Sequence, residues 1–508
     1  MKTKNATLVY ISTIEKEIHP AIYGIKAYAL KYIQDKNIQI LTKSIRAKHS
    51  TQSSRYALYP SFSPQEVQKI GMSIVRQHPI YVGFSTYVWN VEATLLLAQY
   101  IKNLDPNITI ILGGAEATYN AKKILSKEKC VDVVVLDEGE LPFLDLIEGK
   151  KPIQTIQGIM YKNKGKIIHN PHRNILDLTT VPSSYLVGLI DLKKEKKSAF
   201  IIETSRGCPF KCAYCSYNIN NYAKLRLFPV ERVEKELAYL LRNKVNAIHV
   251  VDDNFNIYDL RAQRILKMFI KDNNNTHLEL FIRADAWQIS EQLGNLLANP
   301  YIHLTIGVQA LKKETLKITQ RIHKRHILEQ NLYLLNQLKA NYTLQFIIGL
   351  PGDTYKDIKN DINWAYSFHP QYIHLQTLRI NPGTLFEREA HKFGITYEKK
   401  PPYVINKTYS MTAKDLKKSE ELNIMFKLFY ETGFLKKTIN QLHLNLSLPI
   451  SNIIEELILA GIKPVTLFMF DKKSLIFLIR NKIKKILLKN NQKKQWPLFE
   501  VLINTDII

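Results

Sequence analysis

Cysteine is scarce in this chain, with four in 508 residues. That scarcity excludes a disulfide framework and reads as a reducing compartment. It also excludes auxiliary iron–sulfur clusters, which need further thiolates. Long apolar runs are missing too: none reaches the roughly eighteen residues a membrane-spanning helix requires. The expectation is a cytoplasmic protein without stable membrane insertion. Acidic residues are outnumbered, 45 against 71 Lys and Arg, for a net charge of +26. Such an excess ordinarily points to nucleic acid or an anionic surface. Here Lys, Ile and Asn are used heavily throughout, as compositional drift produces, and a nucleic-acid partner is not expected. The length exceeds what one hydrophobic core usually organises, so about two to three domains are expected.

Three of the four cysteines fall within eight residues, Cys208-Pro-Phe-Lys-Cys212-Ala-Tyr-Cys215. Four thiolates complete a cubane, so a triplet leaves one iron open to an exogenous ligand. A structural zinc site would have to recruit Cys130 or a histidine, and the spacing is not that of paired zinc knuckles. Cys130 itself reads as a small buried hydrophobe.

Residues 1–150 alternate short apolar runs (Leu8–Ser12, Ile38–Leu41, Ile80–Phe84, Ile108–Leu112, Val131–Leu136) with helical patterns. This order predicts an α/β, doubly wound, Rossmann-like parallel sheet. Ser63-Pro-Gln-Glu66 predicts a helix start with a capping box. Ligands of such sheets bind at the carboxyl ends of the strands. The turns there are Ser85-Thr-Tyr-Val-Trp-Asn90, Gly113-Gly-Ala-Glu-Ala-Thr118 and Asp137-Glu-Gly-Glu140. Residues 151–195 read as a linker carrying a hairpin, Gly158–Ile168. Within 196–400, strands near Phe200–Thr204, Ala247–Val251, His277–Arg283, His303–Val308, Tyr342–Ile348 and Tyr372–Leu378 alternate with helices. Six such units predict a partial parallel barrel with its active groups in the loops after the strands. Residues 401–508 are helical in pattern and include the basic stretch Lys482–Lys489.

The run Thr204-Ser-Arg-Gly-Cys208 and Tyr214 beside Cys215 resemble the signature of the radical S-adenosylmethionine superfamily. In that superfamily the cluster cleaves the sulfonium reductively to a 5′-deoxyadenosyl radical. Gly-Phe-Ser, Leu-Gly-Gly and Asp-Glu-Gly-Glu after successive strands resemble the cobalamin-binding domain that precedes the barrel in one large class. The tail resembles the C-terminal domain of unknown function found on some cobalamin-type members. The resemblance implies a [4Fe-4S] cluster on Cys208, Cys212 and Cys215. It implies S-adenosylmethionine contacts at Tyr214, Asp253, Gln309, Arg321, Gly349 and Pro351, and cobalamin contacts at Ser85, Thr86, Val88, Gly113, Gly114 and Gly139. Asp253, with Asp252, equally fits a helix cap, and Arg321 a solvated helix face. Asp353 of Gly349-Leu-Pro-Gly-Asp353 stands where the family often has glutamate.

The implied activity is methyl transfer to an unactivated centre of a small-molecule or peptide substrate, with electrons from a donor such as flavodoxin or ferredoxin. Oxidative cyclisation or rearrangement, as in the anaerobic porphyrin-ester cyclases, is the alternative reaction. An RNA-binding protein with a structural metal site is a remote one. Mutases that ligate cobalt use Asp-x-His-x-x-Gly, and the nearest approach here is Glu17-Ile-His19-Pro-Ala-Ile22, without the glycine. No histidine is therefore expected on cobalt.

Overall fold

The computed structural model describes residues 4–12, 17–47, 49–54, 57–195, 199–219, 223–273, 276–459, 461–462 and 472–507. The chain forms two compact units. The first comprises Met1–Arg283 with Ile380–Arg388 and Glu398–Val404; the second comprises Ala284–Arg379, Glu389–Tyr397 and Ile405–Ile508.

The first unit is built on a sheet whose parallel strands are Ile38–Arg46, Lys4–Ser12, Pro79–Ser85, Thr109–Gly113 and Val133–Val135, in that spatial order. In chain order this is 2-1-3-4-5, and the direction of winding reverses between Lys4–Ser12 and Pro79–Ser85. A crevice opens at such a reversal, beyond the carboxyl ends of the two strands. The strands read as apolar runs because helices cover both faces. Val9, Ile11, Val82, Phe84, Ile110, Leu112 and Val134 form one buried cluster with Leu97 and Ile101 of the helix Val91–Leu104. Each such side chain contributes about 1.5–3 kcal/mol of burial.

The capping box is present: the Ser63 backbone N–H donates to Glu66 at 2.9 Å, and the Glu66 N–H returns to Ser63 Oγ at 3.3 Å. The hairpin Ile159–Asn163 and Lys166–His169 extends the same sheet, adding two antiparallel strands beside Val133–Val135. The first unit also holds the parallel strands Ala199–Ile202, Ala247–Val250 and Glu279–Ala284, with the two-residue strand Glu17–Ile18 on their edge.

In the second unit, Ile302–Gln309, Asn341–Ile348 and Tyr372–Thr377 are parallel. The first two alternate buried and half-buried positions along their length. Among the described residues of this unit five α-helices follow: Ala413–Glu431, Lys436–Leu446, Ile450–Leu459, Lys472–Lys489 and Trp496–Ile507. The first starts on a capping box between Thr412 and Asp415. Among the described residues no helix is long and apolar enough to cross a membrane.

Candidate cofactor site

The first unit contains a cavity of about 680 Å³ at the crevice its strand order creates. Ser85, Val88, Gly113, Gly114 and Gly139 of the sheet's terminal turns lie on its wall. So do Gly207 and Ser216, which bracket the three cysteines, and Asp253. Residues expected to meet cobalamin and the segment expected to hold the cluster therefore border one space. Thr86 is fully buried instead, its N–H donating to the Gly113 carbonyl at 2.7 Å, and it supports the turn from behind.

The glycines of this wall differ in what they do. A Cβ on Gly114, whose φ is +95°, would stand 2.5 Å from the Thr86 carbonyl oxygen, so this glycine is required by the backbone it packs on. A Cβ on Gly139 would meet the end of the Ile25 side chain at 2.8 Å. On Gly113 a Cβ would find only Val135, at 3.9 Å, and both residues line the cavity. Gly113 is thus the position whose missing side chain leaves room for a ligand to approach, which fits a flat, bulky ring such as a corrin.

Cys212 is buried, Cys208 and Cys215 are half-buried, and the Cys215 N–H donates to the Cys212 carbonyl at 3.0 Å. Burial, with Asp253 adding to it, pushes the Cys215 thiol up to about 12. Among the described residues no three His, Cys, Asp or Glu converge as a single-ion site requires. A cubane takes each thiolate on a separate iron, so its three sulfurs need not converge on one ion. The segment is held from outside. Tyr119 Oη donates to the Ser216 carbonyl at 3.0 Å, and the Phe386 N–H to that of Ala213 at 3.1 Å.

Asp252 and Asp253 have separate tasks. The Asp252 carboxylate accepts the N–H groups of Thr204 and Ser205 at 2.7 and 3.1 Å and their hydroxyls at 2.5 and 2.7 Å. It therefore fixes the strand end that leads into the cysteines. Asp253 lines the cavity, and its carboxyl is pushed up to about 7 by burial, with Arg283 opposing and Asp252 reinforcing the shift. Glu116, also on the wall, accepts from Asn120 and from Tyr403 Oη; burial still raises its carboxyl above the usual range.

Sequence reading missed the charged network beside the cysteines. Glu138 accepts Arg226 through both terminal nitrogens, at 3.0 and 2.9 Å, and Arg206 at 3.0 Å. Arg206 also pairs with Glu140 at 2.8 Å and Glu203 at 3.0 Å. The available signal was an arginine on each side of the cysteine segment and two glutamates in a turn otherwise noted for its glycine.

In the second unit Arg321 is no solvated side chain. It donates to Asp285 at 2.5 Å and to the Gly307 carbonyl at 2.6 Å, with 10% of its side chain exposed. Gln309 has φ +74°, and a Cβ on Gly307 would fall 2.5 Å from Gln309 Nε2. The turn Gly349-Leu-Pro-Gly-Asp353 is tightly enclosed. A Cβ on Gly349 would collide with the Ile405 side chain, Lys312 Nζ donates to the Gly352 carbonyl at 2.6 Å, and Thr315 donates to Asp353 at 2.5 Å. Pro351 is buried within it.

Two family models match the sequence: the radical SAM superfamily over residues 202–365 and the B12 binding domain over 58–147. An uncharacterised methyltransferase of Pyrococcus horikoshii is 25% identical over 326 residues, 62% of this chain and 70% of that protein. The cobalamin-dependent radical SAM methyltransferase TokK of Streptomyces tokunonensis is 26% identical over 334 residues, 60% of this chain and 47% of its own. The chain thus spans about half the length of TokK. Among solved structures, the cobalamin-dependent S-adenosylmethionine radical enzyme OxsB with aqua-cobalamin and S-adenosylmethionine bound superposes with a TM-score of 0.64 at 14% identity, over 99% of this chain and 79% of OxsB. That likeness shows a shared fold. With both domains in one chain, the protein belongs to the B12-binding branch of the radical S-adenosylmethionine superfamily, an enzyme family whose cofactors are a [4Fe-4S] cluster, S-adenosylmethionine and cobalamin.

Proposed function

We propose that the protein is a cobalamin-dependent radical methyltransferase acting on an unactivated centre of a small-molecule or peptide substrate in the cytoplasm. The observation that carries this reading is that one cavity of the first unit is bordered both by the sheet's terminal turns and by the cysteine segment. When bound, the cluster and S-adenosylmethionine supply an organic radical, and cobalamin supplies the methyl group. The protein's own part is to hold and to shield. Cys208, Cys212 and Cys215 present three thiolates, and Asp252 fixes the strand end from which they emerge. Gly113 leaves the corrin room, and Ser85, Val88 and Gly139 border it. Tyr214, Asp253, Gln309, Arg321, Gly349 and Pro351 are the proposed S-adenosylmethionine contacts. Arg321 would share its charge between that ligand and Asp285. A flavodoxin or ferredoxin is the proposed electron donor.

Cofactor loading tests the reading. Anaerobically reconstituted protein is expected to hold about four irons and a single cobalamin per chain. Replacing Cys208, Cys212 and Cys215 together by Ala should remove the iron. A cluster that persists in that variant overturns the assignment.

A further inference from the structure

The cysteine segment begins and ends on a two-residue antiparallel ladder, Ser205–Arg206 against Arg226–Leu227, in which Arg206 stands opposite Arg226. Two guanidinium groups side by side repel unless an anion lies between them. Here the anion is Glu138, in the turn between the strand Val133–Val135 and the helix Glu140–Glu148 of the first sheet. The side chains are 14% (Arg206), 12% (Arg226) and 10% (Glu138) exposed, so the charges meet largely out of water, where such pairs act strongly. Burial opposes ionisation of Glu138, but Arg206 and Arg226 outweigh it and hold the carboxyl below its usual range. The Leu176 N–H adds a bond to the same carboxylate at 3.2 Å. One side chain from the turn that contributes Gly139 to the cavity thus ties together both ends of the segment that carries the cysteines.

We infer that Glu138 is a positioning residue: by clamping Arg206 and Arg226 it fixes the separation between the cluster on the cysteines and the cobalamin on the sheet's terminal turns. The inference rests on the functional reading above. A bidentate guanidinium–carboxylate pair fixes direction as well as distance. In Glu138→Gln the amide keeps the shape but carries no charge: Arg206 keeps Glu140 and Glu203, whereas Arg226 loses its carboxylate, so the far end of the segment is loosened from the near end and from the sheet.

The experiment is pulsed paramagnetic resonance on reconstituted protein, reading the distance between Co(II) and the reduced cluster in the parent and in Glu138→Gln, Glu138→Asp and Arg226→Lys. The parent should give one narrow distribution, and the variants, with iron and cobalamin still loaded, a distribution wider by about 1 Å or more. A merely structural role would lower the melting temperature and leave the distance narrow, and that result overturns the proposal. If Glu138→Gln does not fold, Glu138→Asp and Arg226→Lys, which keep every charge and alter only the fit, decide the matter alone. A parent protein that loads neither cofactor overturns the functional reading and the clamp together. Loaded variants with an unchanged distance overturn the clamp only.

Discussion

At the scale of single residues, His19 shows how local chemistry settles a role. Its Nδ1 accepts the Ala21 N–H at 3.3 Å, at the start of the helix Pro20–Tyr32, and its ring packs between Tyr10 and Tyr87. Burial lowers its pKa to about 4, so the ring is neutral at physiological pH. A neutral imidazole that accepts at Nδ1 carries its proton on Nε2, leaving no lone pair for a metal. Paramagnetic resonance of bound Co(II) is therefore expected to lack nitrogen splitting from His19 and to be the same in His19→Ala; splitting that disappears in the variant would refute this. Asp353 gives a second prediction. Burial pushes its carboxyl up to about 7, with the Thr315 hydroxyl pulling the other way. A carboxyl whose folded pKa is raised favours the fold while protonated, and that advantage is lost as pH rises from the unfolded value near 3.9 towards 7. Asp353→Asn should accordingly stabilise the protein relative to the parent at pH 8, by an amount that shrinks towards pH 4. Melts across that range that differ by a constant would contradict it.

At the scale of elements, the strands of the first sheet were legible because each is an apolar run between turn residues: Ile80–Phe84 was read and Pro79–Ser85 formed. The helix after Ser63 was legible from its capping box. The place of the hairpin was not. Gly158–Ile168 announces a turn, but pairing with Val133–Val135 is set by the sheet's free edge, and no local pattern reports it. The pairing of Glu17–Ile18 with Ala199–Ile202 is illegible for the same reason, as two residues carry no period. The cysteines were visible from spacing alone, whereas the Glu138 clamp joins residues 68 and 88 apart in sequence. Neighbouring glycines also looked alike in sequence. The structure separates them: Gly114→Ala strains a left-handed turn against Thr86 and should cost on the order of 1–3 kcal/mol or more. Gly113→Ala should leave the melting temperature nearly unchanged yet weaken cobalamin binding. Absorption titrations and thermal melts on the two variants check this, and equal effects on both readouts would contradict it.

At the scale of the whole molecule, the charge of +26 has to be reconciled with a cofactor enzyme. In the helix Lys472–Lys489 the Ile479, Ile483, Ile486 and Leu487 side chains are buried, and Lys489 pairs with Glu456 at 2.6 Å. The basic stretch is thus one face of a packed scaffold helix. Aromatic side chains on which bases could stack are missing from Lys482–Lys489. RNA binding is expected to be weak and to fall steeply with salt; sequence-selective binding at physiological salt would show otherwise. The central claim is that one cavity brings radical generation and methyl transfer together. Its most direct test is to incubate the reconstituted protein with methyl-deuterated S-adenosylmethionine, a reductant and an extract of small molecules, and to analyse the products. The account predicts both 5′-deoxyadenosine and S-adenosylhomocysteine, and a deuterated methyl group on a product that is absent without the enzyme. Protein loaded with iron and cobalamin that forms neither coproduct would contradict it.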